Sequence, residues 1–142
     1  MKEVVIYARV SSKEQEREGF SIPAQIKLLT EYAAKHHYKI NKIFSESETA
    51  KRAGRKAFNE MLEYITQEGI NTILVEKTDR LYRNFRDYVR LDEYDLEVHL
   101  VKEGSVISKE SKSHDKFIHG IKVLMAKNYI DNLSEEVKKG KR

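Results

Sequence analysis

The sequence predicts an α/β fold: a three-layer domain with a mostly parallel central sheet of about four to five strands and a long, projecting C-terminal helix. Short apolar, β-branched segments alternate along the chain with amphipathic segments of helical period, as a parallel sheet requires. The 142 residues, 39% of them hydrophobic, are enough to fill one core. We therefore expect one folded domain, residues 1–113, followed by a helical segment, residues 114–142.

The first strand and helix are predicted by apolar runs of different period. Residues 4–10, VVIYARV, are typical of a buried strand, which ends at the polar loop SSKEQEREG. A helix then begins at Ser21, which can cap it, with Pro23 tolerated in the first turn. Its apolar residues recur at helical spacing: Ile22, Ile26, Leu29 and Ala33. We expect this helix to end near residues 36–38.

The middle of the chain repeats this order. Residues 39–45 alternate as a second strand, and residues 46–56 are an exposed loop that contains four basic side chains. A second amphipathic helix follows and is closed by Gly69, after which residues 72–77, TILVEK, predict a third strand. The apolar residues of that helix are Phe58, Met61, Leu62 and Ile65.

The last third of the chain predicts a short helix, a strand edge and a long final helix. A shorter helix is expected over 84–96, a strand edge over 98–104 and a polar connection over 105–114. The final helix, about residues 114–138, has two apolar stripes. The first, Ile118, Ile121, Met125 and Tyr129, is expected to pack on its own domain. The second, Ala126, Ile130, Leu133 and Val137, predicts burial against another molecule or a missing segment; the alternative is a frayed helix end.

Charge and composition limit the function classes. Lys and Arg outnumber Asp and Glu by 27 to 23, and the net charge is +4, which permits binding to nucleic acid; a solvated Lys-rich surface is the alternative. The absence of cysteine excludes disulfides, thiolate zinc sites and cysteine nucleophiles within this chain and fits a reducing cytoplasm. No apolar run resembles a signal peptide or a membrane span, so we expect a soluble, intracellular protein.

Polar side chains follow two of the predicted strands. Active sites in α/β sheets lie outside the carboxyl ends of strands, where the loop after residues 4–10 and the loop after residues 72–77 should meet. The first loop offers Arg9, Ser11 and Gln15, and the basic loop adds Arg55. The second offers Lys77, Asp79, Arg80 and Arg83, the last two about one helical turn apart.

These residue types point to phosphoryl transfer. A serine hydroxyl is a weak nucleophile that needs a base or a polarised target, and no histidine lies in either loop, which leaves a Ser-His-Asp triad unsupported. Arginines bind phosphate oxygens bidentately and remain charged, so several of them around one diester would stabilise the charge that builds during attack by Ser11. No metal or cofactor is then required. If each residue is considered alone, the simpler expectation is that Ser11 is an ordinary loop residue and that Asp79 and Arg80 form a surface ion pair. Tyr7 is expected to lie in the core.

Two linked motifs, YARVSSKEQ at 7–15 and EKTDRLYRN at 76–84, resemble the serine site-specific recombinases, both the resolvase/invertase group and the large serine recombinases. The resemblance spans nearly the whole chain and implies a resolvase-like catalytic domain. It implies Ser11 as the nucleophile, with Arg9, Arg80 and Arg83 binding the scissile phosphate. Asp79 would orient the site or assist proton transfer, Gln15 would support the loop, and Arg55 would reach the same phosphate.

The resemblance also implies a reaction and partners. In the family, each serine joins the 5′ phosphate of a cut strand, the subunits of a tetramer rotate, and the ends are rejoined without ATP. The chain is then expected to bind DNA, to form homodimers through its last helix, and to connect to a missing DNA-binding region. One departure lies at SESETA, 45–50, where Thr49 occupies the position of a usual serine. The alternatives are a non-catalytic oligomerisation or DNA-tethering module, and a phosphatase or nuclease.

Overall fold

A computed structural model describes residues 1–11, 21–48, 56–108, 116 and 118–125. The strands are β1 (Glu3–Ser11), β2 (Lys39–Glu48), β3 (Thr72–Val75), β4 (Glu97–Leu100) and β5 (Ser105–Ile107). The helices are α1 (Ile22–Lys35), α2 (Lys56–Glu68), α3 (Thr78–Leu81), α4 (Phe85–Asp92) and α5 (residues 118–125). A 3-10 turn, Val101–Glu103, separates β4 from β5.

The strands form one mostly parallel sheet, in the order β2-β1-β3-β4-β5. The first four strands of that order are parallel, and β5 is antiparallel to β4. This confirms the predicted α/β class. Because neighbouring parallel strands end at the same edge, the carboxyl ends of β1 and β3 come together there.

The core lies on both faces of the sheet, as expected for parallel strands. On one face, α1 buries Leu29 and Ala33 against Val4, Ile6 and Leu74. On the other face, the apolar stripe of α2 packs against alternate residues of β1, β3 and β4. Its buried residues are the four predicted from the sequence: Phe58, Met61, Leu62 and Ile65. The β1 residues between these two layers are almost completely buried.

Several element boundaries differ from the predictions. β3 ends at Val75 and β4 at Leu100, where the predicted strands end at residues 77 and 104. β2 continues to Glu48, three residues beyond the predicted strand, because it pairs residue by residue with β1 up to Ser11. The segment expected as one helix over 84–96 contains only α4, and the shorter α3 precedes it. The polar connection expected over 105–114 begins with β5, since Gly104 in the left-handed region (φ 65°) reverses the chain onto β4.

The last helix packs through a face that the apolar stripe did not predict. Ile118 and Met125 remain 40% and 64% exposed, whereas His119, Gly120 and Val123 are buried. The expectation that the first stripe covers the domain is therefore wrong for these two residues. Gly120 faces the Tyr88 ring. A Cβ atom at position 120 would lie only 3.4 Å from this ring, so the glycine lets this side of α5 approach the domain. Tyr129 and the second stripe lie outside the described residues, as does the boundary between residues 113 and 114.

In the part of the chain that the structure describes, none of the helices combines the length and the apolar character needed to cross a membrane.

Candidate active site

The candidate site lies where the end of β1 meets the segment after β3. Arg9 is the third residue from the end of β1 and is opposite Glu46 in the register with β2. Its side chain reaches across to α3, which begins three residues after β3 ends. Arg9 is only 8% exposed, although it carries a permanent charge.

Arg9 is hydrogen-bonded to the backbone of α3. Its Nε donates to the carbonyl oxygen of Arg80 at 3.1 Å, and its Nη2 donates to the carbonyl oxygen of Asp79. A buried guanidinium needs such acceptors, because leaving a buried charged donor without an acceptor costs about 1–3 kcal/mol of stability or more. These bonds join the carboxyl end of β1 to the segment that contains the second motif.

The backbone of Arg9 is held from the opposite side by α1. Gln25 is fully buried, its Oε1 accepts from the Arg9 amide at 3.2 Å, and its Nε2 donates to the Arg9 carbonyl at 3.0 Å. The primary amide therefore satisfies the donor and the acceptor of one peptide residue at the same time. This bond pair fixes the position of Arg9 relative to α1.

Arg80 is the second buried guanidinium, at 3% exposure. Its Nε donates to Glu76 Oε1 at 3.3 Å, one helical turn earlier, and its Nη1 donates to the Arg9 carbonyl at 3.4 Å. Arg9 and Arg80 thus donate to one another's backbone carbonyl oxygens. The arrangement places two permanent cations side by side at the carboxyl end of the sheet, where an oxyanion such as a phosphodiester can be bound.

The remaining residues of the second motif surround this pair. Lys77 Nζ and Asp79 Oδ1 are 4.0 Å apart at the partly exposed start of α3, a separation typical of a weak surface ion pair. Arg83 is half-buried between α3 and α4, and its amide donates to Asp87 Oδ2 at 2.8 Å. Asn84 caps α4 by accepting from the Asp87 amide at 3.0 Å. The turn that carries Arg83 is thereby closed by side chains on both sides.

The structure brings together part of the predicted set. Arg9, Asp79 and Arg80 meet directly, Lys77 adjoins Asp79, and Arg83 follows within one turn. Ser11 is the last residue of β1, two positions after Arg9, and its side chain is outside what the structure describes. Gln15, Thr49 and Arg55 also lie outside the described residues.

Three buried polar residues near the site were missed by sequence reasoning: Gln25, Glu46 and Glu76. Glu46 Oε2 accepts from the hydroxyl of the fully buried Tyr7 at 2.6 Å, and its Oε1 accepts from the Ala57 amide at 3.1 Å. Glu76 had a usable signal, since a carboxylate directly after an apolar run of a central strand must find a cation or move to the surface. Gln25 had none, because nothing in an amphipathic helix distinguishes a buried glutamine from an exposed one.

Among residues 1–11, 21–48, 56–108, 116 and 118–125, no group of three or more His, Cys, Asp or Glu side chains is arranged to hold a metal ion.

Comparisons with known proteins show the family and the fold of the chain. A family model described as "Resolvase, N terminal domain" matches residues 4–142. The chain is 40% identical over 72 residues to the "Uncharacterized immunity region protein 3" of Bacillus phage phi105, covering 50% of this chain and 87% of that protein. It is similar to the crystal structure of the N-terminal catalytic domain of TP901-1 integrase, at 27% identity and a TM-score of 0.67, over 96% of this chain and 99% of that one.

A second solved structure supports the fold alone. A resolvase family site-specific recombinase from Streptococcus pneumoniae has a TM-score of 0.68 at 24% identity, covering 99% of this chain and 95% of that chain.

Proposed function

The chain belongs to the resolvase N-terminal domain family, whose catalytic domains act in site-specific recombination, and from this premise we propose that it cleaves and rejoins DNA through a covalent 5′-phosphoserine at Ser11. The observation that carries the proposal is the reciprocal hydrogen bonding of Arg9 and Arg80 at the strand end that Ser11 terminates. Two buried guanidiniums, one of them two residues before Ser11 in the sequence, fit a phosphodiester, which is anionic and becomes more so during displacement.

The proposed reaction is a transesterification. A bond forms between Ser11 Oγ and the phosphorus, the bond from phosphorus to the 3′ oxygen breaks, and the proton lost by the serine is balanced by the one gained at the 3′ hydroxyl. Arg9, Arg80 and Arg83 bind and polarise the phosphate, and Asp79 orients the site or assists the proton transfer. Rejoining is the reverse reaction on a new 3′ hydroxyl, so no ATP is consumed.

The other predicted residues have supporting roles in this proposal. Arg55 and Lys77 contact phosphates of the DNA, Gln15 supports the loop of the nucleophile, and Thr49 takes the place of the usual serine as a hydrogen-bond donor. The reaction needs no cofactor and no metal, and takes place in the cytoplasm. Residues 1–113 form the catalytic domain. Residues 114–142 mediate a homodimer and connect to a DNA-binding region, and the dimers assemble into a tetramer on DNA.

The experiment that tests this proposal looks for a protein–DNA adduct. The complete encoded protein is incubated with labelled DNA fragments from either side of its gene, and the products are separated under denaturing conditions. We expect label linked to protein in the wild type and in Ser12→Ala, and none in Ser11→Ala. Peptide mapping should then find the nucleotide on residue 11.

Two outcomes would overturn the proposal. An adduct of undiminished yield in Ser11→Ala would remove the nucleophile. Free DNA ends without adduct or joined recombinants would assign the chain to hydrolysis, as in a phosphatase or nuclease.

A further inference from the structure

The 3-10 turn after β4, Val101–Glu103, contacts the segment that contains Arg80. Because β4 lies next to β3 in the sheet, this turn and the start of α3 lie at the same edge. The Lys102 amide donates to the Glu76 carbonyl at 2.9 Å, which joins the two segments through their backbones. Both polar side chains of the turn then make contacts with the same neighbouring segment.

Glu103 holds the first residue of α3. Its Oε1 accepts from the Thr78 amide at 2.6 Å, and its Oε2 accepts from the Thr78 hydroxyl at 3.0 Å. A helix of four residues has too few internal hydrogen bonds to fix its own position. A two-point, charge-assisted contact at its first residue therefore determines where the helix lies.

Lys102 holds the other oxygen of the carboxylate that orients Arg80. Glu76 Oε1 accepts from Arg80 Nε at 3.3 Å, and Lys102 Nζ lies 3.3 Å from Glu76 Oε2. The Glu76 side chain is 3% exposed and that of Lys102 is 53% exposed. With one cation at each oxygen, the plane of the Glu76 carboxylate is fixed. Glu76 therefore binds Arg80 through its Nε and not through its two Nη groups.

A purely stabilising role does not account for this geometry. Ion pairs with one partner half in solvent contribute little to stability, and Thr78 with Glu103 is exposed as well. One contact holds Thr78, the first residue of α3, and the other holds Glu76, whose carboxylate binds Arg80 of α3.

From these contacts we propose that Lys102 and Glu103 are positioning residues, which keep α3 in place and keep the Arg80 guanidinium oriented for the scissile phosphate. Neither residue touches the reacting atoms. The inference rests on the proposed function for the identity of the anion that Arg80 binds. The orientation of Arg80 itself depends only on contacts within the chain.

The first test compares disruptive and conservative variants of both residues in the single-turnover formation of the Ser11 adduct. We expect Lys102→Met and Glu103→Ala to slow it by about tenfold to a hundredfold, the range for groups that orient a catalytic side chain. Lys102→Arg and Glu103→Gln should restore the rate to within about threefold, because arginine keeps the cation and glutamine keeps an acceptor for the Thr78 amide. Melting temperatures and DNA affinities should change little in all four.

Two results of this test would overturn the inference. One is a wild-type rate in both disruptive variants. The other is an equal loss in the disruptive and conservative variants of each pair, which would show that the side-chain contacts do not matter.

The second test reads Arg80 without any reaction. In 15N-labelled protein, the Arg80 Nε–H signal is assigned by its loss in Arg80→Lys, and it should exchange slowly with water because the group is buried and bonded to Glu76. In Lys102→Met and Glu103→Ala we expect this signal to shift and to exchange faster. An unchanged signal in both variants refutes the positioning role, whereas a wild type without Ser11 adduct refutes the proposed function alone.

Discussion

Arg80 combines contacts that no other cationic side chain can make. Its Nε lies on Glu76 and its Nη1 on the Arg9 carbonyl, two acceptors in different directions from one planar group. A lysine keeps the charge but has one nitrogen on a flexible stem, so it cannot reach both acceptors and present a fixed edge to a phosphate. We therefore expect this position to require the planar geometry of the guanidinium in addition to its charge.

The corresponding prediction concerns Arg80→Lys. We expect single-turnover adduct formation to fall by about 10²–10³-fold, the cost of removing one preorganised donor from a developing anion, while the protein remains folded. The matched control is Arg86→Lys on the exposed face of α4, which should react at the wild-type rate. Retention of the wild-type rate in Arg80→Lys would show that Arg80 serves only as a charge.

At this scale, the sequence predicted the cations and missed their partners. Arg9, Asp79 and Arg80 could be placed together because both strands were recognisable and their carboxyl ends must share one edge. Gln25 and Glu103 could not, because each contact joins segments that are distant in the sequence and depends on the angle at which two elements pack. Ser11 was placed at the end of a strand, as the structure has it.

Short elements at the site are held by caps rather than by their own length. α3 and α4 are separated by three residues, one of which is Arg83. The Asp87 amide donates to Asn84 Oδ1, and the Arg83 amide donates to Asp87 Oδ2, so these two bonds close the turn. Loss of the cap should therefore affect both the stability of α4 and the position of Arg83.

This leads to a prediction for Asn84→Ala. We expect a loss of about 1 kcal/mol in the free energy of unfolding, the usual cost of removing an N-cap side chain, together with a several-fold slower formation of the Ser11 adduct. Denaturant titration and single-turnover assays measure the two effects. Asn84→Asp keeps the acceptor and should retain both properties; an Asn84→Ala variant as stable as the wild type would show that the cap contributes nothing.

The predicted and observed elements differ where pairing overrides local propensity. The Ser-Glu-Ser-Glu end of β2 has no apolar pattern, yet it is a strand because β1 offers it a paired edge. β5 is three residues long and begins only because Gly104 turns the chain back onto β4. Neither signal exists within a local window of sequence, whereas the longer α1 and α2 follow directly from their apolar period.

At the scale of the whole molecule, the last helix, α5, packs against aromatic residues of the domain. Lys116, His119 and Gly120 face aromatic residues of the domain: the Tyr88 hydroxyl donates to the Lys116 carbonyl at 3.2 Å, and His119 Nε2 lies 3.4 Å from the Tyr82 hydroxyl. Tyr82 directly follows α3. A polar contact therefore joins α5 to the candidate site, and an apolar stripe alone could not have indicated this face.

We expect His119 to make this docking sensitive to pH. Burial lowers the pKa of His119 below its ordinary value of 6.5, which outweighs the opposing effect of the Glu103 carboxylate, and the Lys122 ammonium lowers it further. Burial also lowers the pKa of His99, on the opposite face of the sheet. Burial raises the pKa of Tyr82, which therefore stays neutral beside His119.

The direction of the pH effect follows from these lowered values. The unfolded chain takes up a proton near the ordinary pKa, while folded His119 resists protonation until the pH is lower. The full stability is thus present above pH 6.5 and is lost as the pH falls toward the folded pKa. We expect the melting temperature to fall by a few degrees between about pH 7.5 and about pH 5.5.

His119→Phe, whose ring fits between Tyr82 and Tyr88, should show a smaller fall, with His99 accounting for the remainder. Identical pH profiles for the two proteins would mean that His119 is protonated as readily in the folded chain as in the unfolded one.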